Sequence, residues 1–246
     1  MKLLQKTDTS KAAGPGLIQA RILKEAAVEL TPILTSLFQQ SYDSGLLPAD
    51  WKKANVAPIY KKGPKSGPKN YRPVSLTALT CKAVEHITPL QHGFQRGLSC
   101  DTQLISVIHE WAKVLNIHGQ VDVIFLDFAK ASDSVFHERL LLKARHYGIH
   151  GKLNEWSRDF LSDRWQRVVV NGSCSEWSNV PSGVPQGTVL GPILFLLYIN
   201  DLPTGIPSGV RMFADDTVLF RQICCPDDHH RLQHDLHQLE QWAANW

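Results

Sequence analysis

The chain has 246 residues, of which 43% are hydrophobic and 20% charged, a composition typical of a folded globular protein rather than a disordered one. It contains no run of 18 apolar residues, which argues against a transmembrane helix, and residues 1–10 lack the apolar core of a secretory signal. Five scattered cysteines, an odd number, favour a reducing compartment over a disulfide framework.

The net charge of +3 hides an uneven distribution. Residues 1–100 carry 14 Lys and Arg against 6 Asp and Glu, a net +8, whereas residues 101–246 carry 12 against 17, a net −5. The most basic segment, residues 51–84, contains no acid. A basic half beside an acidic half is typical of a protein that holds a polyanion with one part and metal ions with the other. A solvated lysine-rich loop would produce the same composition.

The first predicted elements are helices. Residues 17–45 are expected to form two helices that break near Thr31-Pro32, with Gly45 ending the second. The apolar side of that second helix is predicted to carry Leu34, Leu37, Phe38 and Tyr42. Asp101 is expected to cap a further helix. The apolar face of this further helix is predicted to consist of Leu104, Ile108, Trp111 and Leu115.

A strand is predicted over residues 121–128 (VDVIFLDF), which are mostly apolar and β-prone. The two-residue period of a strand places Asp127 on the same face as Phe125 and places Asp122 on the opposite face. An acid at the end of an apolar strand is therefore expected at one edge of a sheet.

The remaining predicted elements are, in chain order, helices over residues 138–147 and 153–161, a hairpin over residues 165–180, an apolar helix from residue 190, paired strands over residues 210–221 and a final helix from Asp227 or Asp228. Asn171-Gly172 predicts the turn of the hairpin. Asp215-Asp216 is expected at the bend of the paired strands. The apolar face of the final helix is predicted to carry Leu232, Leu236, Leu239 and Ala243. This mixture of helices and strands predicts an α+β fold.

Three aspartates are candidates for chemistry. Asp127 ends an apolar strand, and Asp215 and Asp216 lie among apolar residues. Acids in such surroundings are costly unless a cation neutralises them, although an Asp-Asp pair also favours a turn without any ligand. Together they fit a two-metal phosphoryl-transfer site, in which carboxylates on rigid strand ends hold two divalent ions about 3.5–4 Å apart. Hard oxygen ligands favour Mg²⁺, with Mn²⁺ as the alternative, over zinc.

A second group of potential ligands lies near the end of the chain. His230, His234 and His237 repeat on one helix face, and Cys224 and Cys225 precede them. A zinc site is one interpretation of this group. A polar helix face opposite the leucines is the other, and the helical spacing favours it.

Six sequence blocks resemble the motifs of one family. They are NYRPVSL (70–76), QHGFQRGLSCDTQL (91–104), LDFAKASDSV (126–135), SGVPQGTVLGPILF (182–195), YINDLP (198–203) and MFADDTVLF (212–220). All six are similar to motifs of reverse transcriptases from non-LTR (LINE-type) retrotransposons. Their common order makes the resemblance much more specific than any single block.

The resemblance implies a right-hand polymerase that extends a DNA primer on an RNA template with deoxynucleoside triphosphates (dNTPs). Residues 1–118 would be a basic, incomplete fingers-like part, and residues 119–246 a palm-like part with the carboxylates. The thumb would be absent, because the chain stops before the later motifs of the family. A thumb or other domains would then have to act in trans. Intracellular residence, nuclear or cytoplasmic, is implied only by the resemblance.

By motif position, the resemblance assigns the catalytic and metal-binding roles to Asp127, Asp215 and Asp216. The backbone carbonyl of Phe128 would be a further metal ligand. Arg72 matches the arginine that grips the incoming triphosphate, a task that suits the bidentate contacts of a planar guanidinium.

Further residues are assigned to the nucleotide and the template. Gln186 and Gly187 match a turn that supports both, where glycine allows the backbone to approach closely. Lys61 and Lys62 are candidates for template phosphates, although an exposed lysine pair can be merely solvated. Ser132 stands where the family has an aromatic ring that lies under the sugar and excludes a 2′-hydroxyl. The serine therefore predicts weaker exclusion of ribonucleotides.

The sequence also departs from the family pattern. A helical segment of about a dozen residues or more, which relatives carry after the position of Ile87, is missing. Phe136 replaces the usual proline. Two interpretations remain: an RNA-directed DNA polymerase domain, and a non-catalytic retroelement remnant that at most binds nucleic acid.

Overall fold

The computed structural model of the protein describes residues 1–9, 19–60, 63–67, 70–76, 87–95, 97–188 and 190–246, with the backbone alone for residues 2–3 and 71–76. The helices formed by these residues are α1 (Lys2–Gln5), α2 (Ala20–Glu25), α3 (Ala27–Ser44), α4 (Cys100–Leu115), α5 (His137–His146), α6 (Gly151–Leu161), α7 (Leu190–Ile199) and α8 (Asp227–Asn245). The strands are β1 (Lys53–Tyr60), β2 (Tyr71–Leu76), β3 (Gln120–Leu126), β4 (Arg164–Val170), β5 (Ser173–Cys174), β6 (Ser178–Val180), β7 (Gly209–Phe213) and β8 (Asp216–Ile223). The predicted mixture of helices and sheet is confirmed. None of the helices in the described ranges combines the length and the hydropathy needed to cross a bilayer.

Internal contacts divide the chain into two compact units. Unit 1 consists of Met1–Cys81 and Ala144–Gly191, and unit 2 of Lys82–Lys143 and Pro192–Trp246. Each unit therefore combines two separate stretches of sequence. The functional division into a fingers-like part (1–118) and a palm-like part (119–246) stays a prediction.

A mixed sheet organises unit 1. Its strand order is β2-β1-β4-β5, and β6 also pairs with β4. β1 runs antiparallel to β2 and parallel to β4, so one strand joins the two kinds of pairing. The hairpin predicted at Asn171-Gly172 is confirmed, because both residues have positive φ (+49° and +83°), as a tight two-residue turn requires. The second half of this hairpin is split into the short strands β5 and β6.

The N-terminal helices of unit 1 break earlier than predicted. α2 ends and α3 begins at Ala26, and Pro32 lies inside α3 rather than at the break. A proline in a helix removes one backbone hydrogen bond, here to the carbonyl of Val28. Val28 is exposed, so water can replace the missing donor. Gly45 ends α3 in the left-handed conformation, as predicted, whereas Tyr42 is exposed and does not belong to the packed side of the helix.

A half-buried carboxylate connects the helices of unit 1 to the start of its sheet. Asp159 of α6 accepts hydrogen bonds from the Leu47 backbone N–H (2.6 Å) and from the ammonium of Lys52 (2.7 Å). α6 also packs against α3, where the indole of Trp156 donates to the hydroxyl of Ser41 (3.1 Å). Lys52 is therefore committed to a structural ion pair within the basic segment of residues 51–84.

A three-stranded antiparallel sheet with the order β3-β8-β7 organises unit 2. Cross-strand neighbours share a face of a sheet, and α4 contacts one face, where Trp111 packs edge-on against Phe220. α8 contacts β8 from the other face, where Arg221 donates to the buried carboxylate of Asp235 (3.2 Å). Leu219 of the central strand is fully buried. The sheet is thus enclosed between two helices, and its loops emerge at its ends.

The packing of α4 differs from the prediction. Ser99, not Asp101, caps the helix through a reciprocal pair of hydrogen bonds with Thr102. The expected apolar face is largely exposed: Leu104 at 54%, Ile108 at 51% and Leu115 at 56%. The buried residues of α4 are Gln103 and Val107. Trp111 of the predicted face does pack against the sheet. The helix is therefore turned by less than one residue relative to the prediction, so that Val107 is buried in place of Leu104 and Ile108.

The paired strands and the final helix need smaller corrections. The two-residue bend between β7 and β8 is Ala214-Asp215, and Asp216 is already the first residue of β8. The final helix begins at Asp227, as predicted, and buries Leu232 and Leu239. Ala243 is exposed, because the last turn of the helix packs through Trp242, whose ring contacts those of Phe128 and Tyr198.

Candidate active site

The three candidate acids lie at one end of the sheet of unit 2. Leu126, the last residue of β3, pairs with Thr217 of β8. The next position in this register places Asp127 opposite Asp216, and Phe213 of β7 pairs with Asp216 from the other side. The antiparallel register therefore brings together two acids that are 89 positions apart in the sequence.

The bend that presents Asp215 has an unusual backbone. Ala214 has a φ of +55°, in the left-handed region that residues with a Cβ atom rarely adopt. The side-chain amide of the buried Gln91 bonds to both backbone groups of Ala214. Sequence reasoning placed Gln91 in a family block but gave it no role. An uncharged side chain that bonds to the backbone leaves no local signal in the sequence.

Electrostatic repulsion acts within this group of acids. Partial burial first, and the negative charges of Asp215 and Asp127 second, raise the pKa of Asp216 above its usual value. This effect acts even though Asp216 is exposed by more than a third of its surface. A cation placed among the three carboxylates would remove the repulsion.

Partial burial of Asp216, together with this repulsion, predicts that Asp216→Asn stabilises the protein at neutral pH. Because the raised pKa belongs to the folded state, ionised Asp216 opposes folding above that pKa, whereas below the ordinary aspartate pKa both states are protonated. We expect the free energy of unfolding to rise by about 0.5 kcal/mol at pH 7, a small value because solvent screens the exposed group. The gain should vanish below about pH 4.

Thermal melts at pH 7 and below about pH 4 test the prediction. Asp122→Asn is the matched control, because Asp122 lies on the opposite face of β3 and receives a hydrogen bond from Gln120 (2.7 Å). A gain equal to that of Asp216→Asn in this control, or no gain for Asp216→Asn at pH 7, would contradict the assigned repulsion.

The turn after Asp127 carries two more predicted site residues. The carbonyl of Phe128 accepts a weak hydrogen bond from the Ala131 N–H (3.3 Å), which leaves one of its two lone pairs for another partner. Ser132 lies in a short 3-10 helix, Ala131–Asp133, and is half-buried. Lys130, which precedes this helix, is left-handed (φ +53°). Both predicted residues belong to unit 2, as do the three acids.

Three other predicted residues belong to unit 1. Arg72 lies in β2, where its backbone is opposite Ile59 of β1. Gln186 and Gly187 lie in the turn before α7, and Gly187 has a φ of +84°. This turn is held by Thr188, whose hydroxyl donates to the carbonyl of Pro185 (2.8 Å) and accepts from the Gly191 N–H (2.7 Å). A Cβ atom at Gly191 would lie 2.3 Å from the Pro185 carbonyl oxygen, so the turn requires glycine at that position.

The basic residues of the segment 51–84 differ in how much the structure shows of their contacts. Lys61 and Lys62 lie outside the described residues, and their predicted phosphate contacts stay a prediction. Lys53, beside the paired Lys52, lies 3.5 Å from Asp50 in an exposed pair. The charge of the basic segment is thus partly balanced within unit 1.

The histidine group offers no metal site. His234 contacts Gln238 (3.1 Å) and His237 contacts Glu240 (3.3 Å), each within one turn of α8. Across the described ranges, no three His, Cys, Asp or Glu side chains are arranged so that they could hold a metal ion. The acids at the end of the sheet are among these side chains, as are the histidines.

A buried lysine of unit 2 was missed by sequence reasoning. Lys143 of α5 donates to the Tyr198 carbonyl (2.7 Å) and to Asp201 (2.5 Å). Its ammonium also lies 3.8 Å from the ring centroid of Trp246 and 4.5 Å from that of Trp242. Burial lowers the pKa of Lys143, and the bond and charge of Asp201 oppose this effect. Its partners are 55 or more positions away in the sequence, which is why no local pattern reveals it.

Comparisons with known proteins agree with the motifs. A family model described as reverse transcriptase (RNA-dependent DNA polymerase) matches residues 59–246. The chain is 30% identical to the RNA-directed DNA polymerase from mobile element jockey of Drosophila melanogaster, over 99% of this chain and 29% of the relative. It is 29% identical to the probable RNA-directed DNA polymerase from transposon X-element of the same species, over 100% of this chain and 29% of the relative. It is also 29% identical to a Pol polyprotein from type-1 retrotransposable element R2 of Popillia japonica, over 47% of this chain and 21% of the relative.

The chain spans less than a third of the length of these relatives. The alignment with the jockey polymerase extends over 269 positions, more than the 246 residues of this chain, so the relative has segments that this chain lacks. The position of the predicted gap lies next to residues 81–86, outside the described residues, and stays a prediction. Because the family model matches most of the chain, the motif-based resemblance is confirmed, and the chain belongs to the reverse transcriptase (RNA-dependent DNA polymerase) family, with homologues in non-LTR retrotransposons.

Proposed function

We propose that the chain is the fingers and palm portion of an RNA-directed DNA polymerase and that Asp127, Asp215 and Asp216 form its catalytic centre. One observation carries the proposal: in a chain of this family, the sheet register brings three carboxylates to one edge, where partial burial and the charges of Asp215 and Asp127 raise the pKa of Asp216. The reaction would join a dNTP to the 3′-hydroxyl of a DNA primer that is paired with an RNA template.

The donor set suits a hard divalent cation. Carboxylate oxygens favour Mg²⁺ or Mn²⁺, and the family generally uses divalent metal ions. When bound, such ions lower the pKa of the attacking hydroxyl and stabilise the leaving pyrophosphate. Because the described side chains form no ready metal cluster, the carboxylates would have to turn toward the ion. The carbonyl oxygen of Phe128, which keeps a free lone pair, is a fourth candidate metal ligand.

The chain's other predicted residues would bind and orient the substrates. Arg72 would hold the triphosphate through paired N–H donors. Gln186 and Gly187 would support the nucleotide and template from a turn that hydrogen bonds already fix. Lys61 and Lys62 would contact template phosphates as point charges.

Primer extension tests the proposal. A labelled DNA primer on an RNA template is incubated with dNTPs and Mg²⁺ or Mn²⁺, with the parent chain and with Asp215→Asn. The proposal predicts metal-dependent extension that the substitution removes. Extension that persists in Asp215→Asn would contradict the assigned centre, and no extension with either ion would favour the second candidate function.

The second candidate is a remnant that binds nucleic acid without catalysis, and the serine at position 132 favours it. Its binding would rest on phosphate contacts, so affinity for an RNA–DNA duplex should fall steeply with salt. Binding without extension would support this function. No binding at low salt would exclude both candidates.

The small side chain of Ser132 predicts poor discrimination against ribonucleotides. We expect Ser132→Phe to lower ribonucleotide incorporation relative to deoxynucleotide incorporation by about 10-fold or more, because a ring at this position would contact the 2′-hydroxyl and leave less room for it. The ratio of the two incorporation rates is the measurement. Ser134→Phe, a change at an exposed position two residues later, is the matched control. An unchanged ratio in Ser132→Phe would contradict the assigned position of the sugar.

A further inference from the structure

We propose that Gln91 is a positioning residue of the catalytic centre: its buried amide fixes the Ala214-Asp215 bend and thereby sets the direction in which Asp215 and Asp216 present their carboxylates to a metal ion. The inference rests on the proposed metal-binding role of those acids. Gln91 touches no reacting atom and acts through the backbone of the bend.

The hydrogen bonds of Gln91 converge on one residue of the bend. Its Oε1 accepts from the Ala214 N–H (2.7 Å) and from the Gly93 N–H (2.7 Å). Its Nε2 donates to the Ala214 carbonyl (3.1 Å). Both backbone groups of Ala214 are therefore bound by a single side chain, which is only 1% exposed.

The bend needs such support because of its conformation. Ala214 is left-handed (φ +55°), and an alanine prefers negative φ. A change of φ at Ala214 would rotate the peptide that leads into Asp215 and would redirect the acids that follow. The two bonds to Gln91 are satisfied only in the observed conformation, so they select it against the intrinsic preference of alanine.

The backbone around Gln91 makes the support rigid. Residues Leu90 and His92 exchange hydrogen bonds with Met212 of β7 (2.9 and 2.8 Å), which places Gln91 beside the end of that strand. Gly93 then passes so close to the bend that a Cβ atom would lie 2.3 Å from the Ala214 nitrogen. Met212 is fully buried, so the segment and the bend are attached to the core of unit 2.

Removal of the Gln91 amide should weaken metal binding by more than a general loss of stability would. Gln91→Met keeps the length of the side chain but leaves the Ala214 and Gly93 groups without partners in a buried place. Residues that orient metal ligands typically change metal affinity by 10- to 100-fold when they are replaced. We expect a loss of about that size in Mn²⁺ affinity.

A matched control separates orientation from stability. Leu232→Ala removes a buried side chain of α8, which contacts the face of β8 that lies opposite the face contacted by α4. It should lower the melting temperature and leave Mn²⁺ affinity unchanged. Gln91→Glu is a second variant, because it keeps the two accepted bonds, loses the donated one and adds a negative charge. Support by the amide predicts weaker Mn²⁺ binding in this variant, whereas charge alone would strengthen it.

Mn²⁺ titrations followed by electron paramagnetic resonance test the inference with the full chain, at a temperature at which circular dichroism shows each variant folded. The expected result is a 10- to 100-fold loss in Gln91→Met, a smaller loss in Gln91→Glu and parent-like affinity in Leu232→Ala. If Gln91→Met does not fold, the test rests on whether Gln91→Glu lowers or raises the affinity for Mn²⁺. Parent-like or tighter binding in the Gln91 variants, together with lost binding in Asp215→Asn, would overturn the role of Gln91 and leave the proposed function standing. Parent-like binding in Asp215→Asn would instead overturn the proposed function, and the inference with it.

Discussion

Asp127→Asn is expected to reduce metal-dependent primer extension by at least about 10³-fold. The amide keeps the shape of the side chain and removes the charge that would hold the cation, and metal-ion catalysis supplies several kcal/mol, at 1.36 kcal/mol per factor of ten. The position of Asp127 is fixed by the β3–β8 register, in which its neighbour Leu126 pairs with Thr217. The substitution should therefore leave the sheet intact.

The same strand offers a matched control for this substitution. Asp122 lies on the opposite face of β3, where its carboxylate is 3.1 Å from His229. We expect Asp122→Asn to leave extension within about twofold of the parent, since both side chains of this contact are partly exposed. Single-turnover extension rates and melting temperatures of both variants are the measurements. Equal losses in the two variants would contradict the assignment, because they would indicate a general effect of charge or folding.

Lys143→Ala is expected to lower the free energy of unfolding by about 2–4 kcal/mol. The substitution would remove two hydrogen bonds and leave a space between the rings of Tyr198, Trp242 and Trp246, which lie 5.0, 4.5 and 3.8 Å from the ammonium. The loss stays moderate because Asp201 is partly exposed and keeps the indole N–H of Trp242 as a donor (3.2 Å).

Urea unfolding of three variants tests the role of Lys143. Lys143→Met should lose less stability than Lys143→Ala, because the thioether chain still packs on the aromatic rings. Lys152→Ala is the surface control: its pair with Asp43 spans 3.6 Å, and both side chains are more than half exposed. This control should lose less than about 1 kcal/mol. Equal losses in Lys152→Ala and Lys143→Ala would contradict the structural role assigned to the buried lysine.

Local signals predicted much of the fold. Asn171-Gly172 marked a hairpin because few residue pairs adopt positive φ twice in succession. Gly45 ended a helix for the same conformational reason. Strand β3 followed from a short run of apolar, β-prone residues, and its period placed Asp127 and Asp122 on opposite faces.

Tertiary packing decided the elements that were predicted incorrectly. Trp111 of the predicted α4 face packs on the sheet as expected. Leu104 and Ile108 of that face are exposed, and Val107 is buried instead. Pro32 looked like a helix break, but Val28 is exposed, so water can replace the missing donor to its carbonyl. Neither outcome is encoded in the local pattern, because each depends on what surrounds the helix.

The residues of the candidate site also differ in whether a local signal marks them or only the tertiary structure reveals them. The three acids could be predicted, because charge among apolar residues and the family motifs both mark them. Gln91 could not be predicted as a site residue: it is uncharged, and its partner Ala214 is 123 positions away. Its contribution lies in the backbone conformation of another segment, which only the folded structure reveals.

Iron-mediated cleavage shows directly whether Asp127, Asp215 and Asp216 hold a divalent ion, since it locates the ion without relying on turnover. Fe²⁺ would replace Mg²⁺ among the acids, and with ascorbate and peroxide it would produce hydroxyl radicals that cut the nearby main chain. We expect cuts near Asp127 and near Asp215 and Asp216, which excess Mg²⁺ suppresses and which are lost in Asp215→Asn. Cleavage confined to other segments, or cuts at these positions that Mg²⁺ does not suppress, would contradict a divalent-metal site at this edge of the sheet.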